Sequence, residues 1–124
     1  MSILTKKSVL VTGGTGSIGT ALVKKAITDK AKLIRVFSND ENGLYEMESE
    51  FGNYKNIEYV IGDIQNEEIV AEIVKNIDII FHAAALKHVD RCELNPLETI
   101  NVNIMGTKNI AKAAQKENVQ KMIF

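Results

Sequence analysis

The chain has 124 residues, a formal net charge of −1 and one cysteine, with 45% hydrophobic and 25% charged residues. This composition indicates one globular domain, and the near-neutral charge argues against a nucleic-acid-binding surface. No apolar run approaches the roughly 18 residues of a membrane span. A lone cysteine, Cys92, excludes an internal disulfide. Together with the lack of a signal-peptide apolar core at the start, this predicts a cytoplasmic protein.

The first strand and helix are predicted with a glycine cluster between them. Residues 8–12 are nearly all apolar or β-branched, as in a buried strand. Residues 17 to about 29 have helical periodicity, and Ser17 is a candidate cap. The residues expected on the inward stripe of this helix are Ile18, Leu22, Val23 and Ile27.

The same alternation continues along the chain with short connections. Further strands are predicted at 33–37, 57–61, 77–81 and 119–124, and further helices at 44–51, 67–75 and 96–118. Alternating strands and helices predict an α/β fold, a Rossmann-type doubly wound parallel sheet with helices on both faces. Right-handed crossovers then give the strand order 3-2-1-4-5.

The domain prediction is one unit over residues 1–124. The sequence ends at Phe124, within an apolar strand pattern. Because a docked strand normally leads on to a helix or a polar tail, we expect a domain that is truncated. The alternative is a natural short domain whose last strand is an edge.

The glycines after the first strand have the spacing G-x-x-G-x-x-G, at Gly13, Gly16 and Gly19. This differs from the G-x-G-x-x-G dinucleotide fingerprint, but the physics is shared. Glycines permit a tight turn and close approach of an anion, and the N–H groups of the next helix hold a pyrophosphate. Such clusters also occur in ordinary loops.

Three further loops are expected at the same edge of the sheet. The residues after strand 2, at 38–41, do not decide between NAD and NADP as the cofactor. The acidic residues among them have an alternative role, which is to place negative charge at the N-terminus of the next helix. Asp63 either accepts from an adenine amino group or stabilises a turn. Ala83, Ala84 and Ala85 suit a flat cofactor or simple packing. Lys87 and His88 follow at the mouth of the crevice, as an anion site or as solvated charges.

His82 is more typical of a satisfied core histidine than of a catalyst. The two histidines, six residues apart and without a cysteine pair, do not suit a structural zinc site. We therefore predict no metal.

The chain resembles the extended short-chain dehydrogenase/reductases. The motifs that carry this are residues 12–19 (T-G-G-T-G-S-I-G), 62–64 (G-D-I), 82–85 (H-A-A-A) and 103–109 (N-I-M-G-T-K-N). Residues 83–89 (A-A-A-L-K-H-V) and 95–98 (N-P-L-E) resemble the polysaccharide-biosynthesis branch, which contains UDP-N-acetylglucosamine 4,6-dehydratases and nucleotide-sugar epimerases.

The resemblance implies bound NAD(P), oxidation of a UDP-sugar at C4, and then dehydration or epimerisation. It also implies a homodimer through the helix near 96–118. Several relatives carry an arginine where this chain has Asn39, which leaves NAD versus NADP open. The implied cofactor-binding residues are Gly13, Thr15, Gly16, Ser17, Ile18, Gly19, Ser38, Asn39, Asp40, Asp63, Ile64, Ala83, Ala84, Ala85, Lys87 and Asn103.

The catalytic residues of this superfamily follow its fifth strand, as an Asp-Lys segment and a tyrosine and lysine four apart. None of Tyr45, Tyr54 and Tyr59 is followed by lysine at the fourth position. We therefore predict no catalytic residue and no turnover by the chain alone. The alternative function is a non-catalytic NAD(P)-sensing or scaffold module.

Overall fold

A computed structural model describes residues 3–52, 54–83 and 96–123, with side chains of the last segment described from Gly106 onward. Five parallel strands form one sheet in the order β3-β2-β1-β4-β5. They are β1 (Ser8–Thr12), β2 (Leu33–Ser38), β3 (Ile57–Ile61), β4 (Ile79–His82) and β5 (Lys121–Ile123). The helices in these ranges are α1 (Ser17–Thr28), α2 (Glu41–Phe51), α3 (Glu67–Ile73) and α4 (Pro96–Lys116). The predicted fold class and strand order are confirmed.

The central strand β1 is buried along its whole length, as its sequence predicts. Alternate residues point to opposite faces of the sheet, and each face has its own core. Val9 and Val11 join the core beneath α1 and α2, whereas Leu10 joins the core beneath α3 and α4. The end of β1 is therefore held rigidly between two apolar layers.

The predicted inward stripe of α1 is partly wrong. Ile18 is 56% exposed, and the buried residues of the helix are Gly19, Val23 and Ala26. The first turn of α1 approaches the preceding turn too closely for a large side chain, so a glycine faces inward there. The predicted cap is also wrong, because the N-cap is Gly16 and Ser17 is the first helical residue.

The C-terminal half of α4 buries one face. Ile110 is fully buried, and Asn109, Ala113 and Ala114 are buried beside it, whereas Ala111 is exposed. This face of α4 joins the core that contains Leu10 and Val70. In the described ranges, no helix combines the length and apolar character that crossing a membrane requires.

Candidate functional site

The turn between β1 and α1 is shaped by two glycines. Gly13 has φ 66°, a left-handed conformation that favours glycine, and its carbonyl accepts from the Gly16 N–H at 3.2 Å. A Cβ on Gly19 would lie 2.6 Å from the Gly14 Cα and would also overlap the Gly13 carbonyl oxygen. Because that space is filled by backbone, α1 begins directly against the turn only when residue 19 has no side chain.

The N-terminus of α1 differs from those of α2 and α3. Asp40 caps α2 by accepting from the Gly43 N–H at 3.0 Å, and Asn66 caps α3 by accepting from two N–H groups. Gly16 provides no side-chain cap to α1, and its first turn contains no acidic residue. Among the described residues, no side chain caps the first N–H groups of α1, which favours an anion at this end of the helix.

The loop after β2 is tied to the glycine turn. The hydroxyls of Thr15 and Ser38 lie 2.9 Å apart, and the Asp40 N–H donates to Ser38 Oγ at 3.0 Å. Ser38 is buried and Asn39 is exposed. Because the Asp40 carboxylate caps α2, its predicted alternative role at the N-terminus of this helix is confirmed.

The loop after β3 is held both locally and by α4. Asp63 Oδ1 accepts from the Gln65 N–H at 2.9 Å, so the turn-stabilising alternative for this aspartate is present. The Asn109 amide donates to the carbonyls of Ile64, at 3.1 Å, and Gln65, at 3.0 Å. No role for Asn109 was predicted from the sequence.

His82 connects the ends of β1 and β4 to α4. Its Nδ1 lies 2.7 Å from Thr12 Oγ1, and its Nε2 lies 3.2 Å from Thr107 Oγ1. The Ala83 N–H also donates to Thr12 Oγ1, at 3.1 Å. Burial lowers the pKa of His82, so the neutral ring is favoured. The interpretation of His82 as a satisfied histidine is confirmed, and Thr107 was missed.

An apolar recess of about 190 Å³ opens beside this network. It lies between the first turns of α1 and the ends of β4 and β5. Its lining residues are Ile18, Leu22, Phe81, His82, Ala83 and Ile123. The exposed side chain of Ile18 therefore lines this recess and is not part of the core.

Some predicted site residues cannot be located in this arrangement. Ala84, Ala85, Lys87 and His88 lie outside the described residues, and Asn103 belongs to α4 but its side chain is outside them. The turn at Gly13–Gly19, Ser38, Asp63, Ile64 and Ala83 lie at or just after the carboxyl ends of parallel strands, and therefore along the same edge of the sheet. Among the described residues there is no group of three His, Cys, Asp or Glu side chains that could hold a metal ion.

A sequence model described as polysaccharide biosynthesis protein matches residues 9–124. The chain belongs to this family. The match covers all the strands and helices described above except Ser8, the first residue of β1.

Two curated relatives have similar identity but different descriptions. An uncharacterized membrane protein of Methanocaldococcus jannaschii is 44% identical over 117 residues, and a UDP-glucose 4-epimerase of Rickettsia bellii is 43% identical over 121 residues. Each alignment includes 94% of this chain and 35% of the relative. The chain thus spans about a third of the length of these proteins.

Solved structures similar to this chain are also more than twice as long as the chain. The chain is similar to Pen from Bacillus thuringiensis, with a TM-score of 0.94 and 43% identity over 98% of this chain and 38% of that one. It is also similar to a dTDP-glucose 4,6-dehydratase from Streptomyces venezuelae with NAD bound, with a TM-score of 0.82 and 25% identity over 93% and 38%. A UDP-glucose 4-epimerase from Stenotrophomonas maltophila, with bound NAD and a formylated UDP-arabinopyranose, has a TM-score of 0.80 and 26% identity over 94% and 35%. The predicted resemblance to nucleotide-sugar epimerases and dehydratases is confirmed.

Proposed function

We propose that this chain is the NAD-binding part of a nucleotide-sugar epimerase or 4,6-dehydratase. The observation that carries the proposal is the uncapped N-terminus of α1, packed by Gly19 against a turn that requires glycine at Gly13. This arrangement is suited to a pyrophosphate. The names of the relatives supply the substrate class, since they include epimerases and a dehydratase of nucleotide sugars.

The rest of the dinucleotide would extend in both directions along the carboxyl edge of the sheet. On one side, Asp63 and Ile64 would flank the adenine. On the other, Ala83 and the apolar recess would accept the nicotinamide ring. When bound, NAD supplies a hydride acceptor for oxidation of the sugar at C4. The residues of this chain would bind and orient that group, because a sheet edge held by two cores gives a rigid platform.

We further propose a preference for NAD over NADP. The residues between β2 and α2 include Asp40, which caps α2, and Glu41, which lies in its first turn. A 2′-phosphate placed here would meet two carboxylates, and Asn39 replaces the arginine that would pair with it. The Asp40→Asn variant removes one of these negative charges, so NADP⁺ affinity should rise. Because the amide oxygen of asparagine still caps α2, the loss of stability should be small. Unchanged NADP⁺ affinity would contradict this role.

The main proposal is tested by titrating the purified chain with NAD⁺. Calorimetry measures the binding, and thermal unfolding measures the stabilisation of the chain by the bound NAD⁺. Saturable binding is expected, and NAD⁺ at 100 times its Kd should add about 2.7 kcal/mol to the free energy of unfolding. Absence of binding by NAD⁺ and NADP⁺ would overturn the proposal. We expect no conversion of UDP-glucose by the chain alone. The one Asp-Lys pair of the sequence, Asp29-Lys30, follows α1 and not the fifth strand, and no tyrosine is followed by lysine at the fourth position.

We also propose that the protein is cytoplasmic and self-associates through α4. The exposed residues of the described part of α4 include Ala111, whereas Ile110 is buried in the core and contributes nothing to such a surface. Cell fractionation tests the cytoplasmic location. The test is informative because the M. jannaschii relative is described as a membrane protein. Sedimentation at high concentration tests the self-association, and a monomer would contradict it.

A further inference from the structure

The loop that contains Asp63 and Ile64 has few internal contacts of its own. Asp63 bonds within it through Oδ1 and through its carbonyl, which accepts from the Asn66 N–H at 2.9 Å. The next two carbonyls, of Ile64 and Gln65, point instead to the amide of Asn109. The part of this loop after Asp63 is therefore held by a side chain 45 residues further along the chain than Ile64.

The contact of α4 with the loop is close as well as polar. Asn109 is 8% exposed and Ile64 is 5% exposed, so their hydrogen bond is shielded from water. One turn before Asn109, a Cβ on Gly106 would lie 2.6 Å from Ile64 Cγ2. Helix α4 thus presents a flat surface at Gly106, on which Ile64 packs, and a paired donor at Asn109, which fixes the backbone beside it.

We propose that Asn109 is a positioning residue for the adenine half of the dinucleotide. It acts through the loop at Asp63 and Ile64 and does not touch the ligand. The proposal rests on the proposed function, because it assumes that this loop flanks the adenine. A planar amide that donates two hydrogen bonds to successive carbonyls sets the orientation of both peptide groups, and hence of the Ile64 and Gln65 backbone directly after Asp63.

The experiment compares two fragments of the dinucleotide on the purified chain. ADP contains the adenine, whereas inorganic pyrophosphate requires only the glycine turn. In Asn109→Ala, measured below its melting temperature, we expect ADP affinity to fall at least tenfold and pyrophosphate affinity to change less than twofold. The control is Ile110→Val, which removes a methylene from the same core and should leave both affinities unchanged.

A second variant keeps the proposal testable when Asn109→Ala does not fold. Gly106→Ala gains helix propensity but displaces Ile64, so ADP affinity should again fall while pyrophosphate affinity is retained. Equal loss of both affinities, or ADP affinity within twofold of the wild type in the folded variants, would overturn the positioning role. If the wild type binds neither fragment, the proposed function itself fails, and the two failures are therefore distinguishable.

Discussion

The turn after β1 and the loop after β3 lie at the same edge of the sheet but are held in different ways. The turn is fixed by its own backbone, through the left-handed Gly13 and the contact of Gly19 with residues 13 and 14. The loop is fixed at Asp63 by its own hydrogen bonds, but its next two carbonyls are held by Asn109 from α4. One half of the candidate site is therefore local in sequence, whereas the other half depends on tertiary packing.

The largest effect should come from Gly19→Ala. Its new Cβ would overlap backbone atoms of the turn, so α1 must move away, at a cost of about 2–3 kcal/mol of unfolding free energy. NAD⁺ binding should become undetectable at 1 mM (roughly a millimolar or weaker Kd). Chemical denaturation and calorimetry measure the two effects.

Gly16→Ala is the matched control for that variant. A Cβ at residue 16 would meet only the Gly13 carbonyl oxygen, at 3.5 Å, which is ordinary contact. The loss of stability should be at most about 1 kcal/mol, the range for changes at an N-cap. If Gly16→Ala and Gly19→Ala destabilise the chain equally, the backbone packing described for the turn is wrong.

The predictability of the two halves follows from this difference. The buried strand, the glycine spacing and the start of α1 are contiguous, so the turn could be predicted from about a dozen residues. The roles of Asn109 and Thr107 could not, since each depends on which loop α4 lies against. The motif at residues 103–109 was visible, but nothing local distinguishes a polar residue that holds a loop from one that faces solvent.

The fold was predicted more fully than the packing of individual helices. Alternating patterns and crossover handedness specify strand order without side-chain detail, and β3-β2-β1-β4-β5 was obtained. The prediction of the inward face of α1 was wrong at Ile18, because it was based on hydrophobicity alone, which assigns every large apolar side chain to the core. Close backbone approach reversed that expectation, and the exposed isoleucine lines the recess next to Ala83 instead.

A medium effect is expected at His82, which links both strand ends to α4. Its pKa is lowered in the folded chain, so below about pH 6.5 the unfolded state binds the proton more readily. The free energy of unfolding should therefore fall as the pH decreases from 7.5 to 5.5. Denaturation at several pH values measures this slope.

Two variants assign that slope. His82→Asn should remove most of it, whereas His88→Gln, which removes the other histidine of the sequence, should retain it. A slope that survives His82→Asn and disappears in His88→Gln would show that the buried network does not control the proton linkage.

The smallest effect is expected at Lys112, which also extends from α4. Its Nζ lies 2.8 Å from Glu67 Oε1, and the pair lowers the pKa of Glu67, but both side chains are exposed. Surface ion pairs of this kind contribute little. Lys112→Ala should leave stability and ADP affinity unchanged within error. A loss of ADP affinity like that of Asn109→Ala would mean that general docking of α4, rather than the Asn109 amide, sets the loop.

The most direct test is to follow the backbone amide resonances of the ¹⁵N-labelled chain during titration with NAD⁺. The account predicts saturable shifts at Gly13–Gly19, at Asp63 and Ile64, and at Ala83. It predicts none at the opposite edge of the sheet, where Lys7 precedes β1 and Lys32 precedes β2. Absence of any shift, or shifts concentrated around Lys7 and Lys32, would contradict a dinucleotide site at the glycine turn.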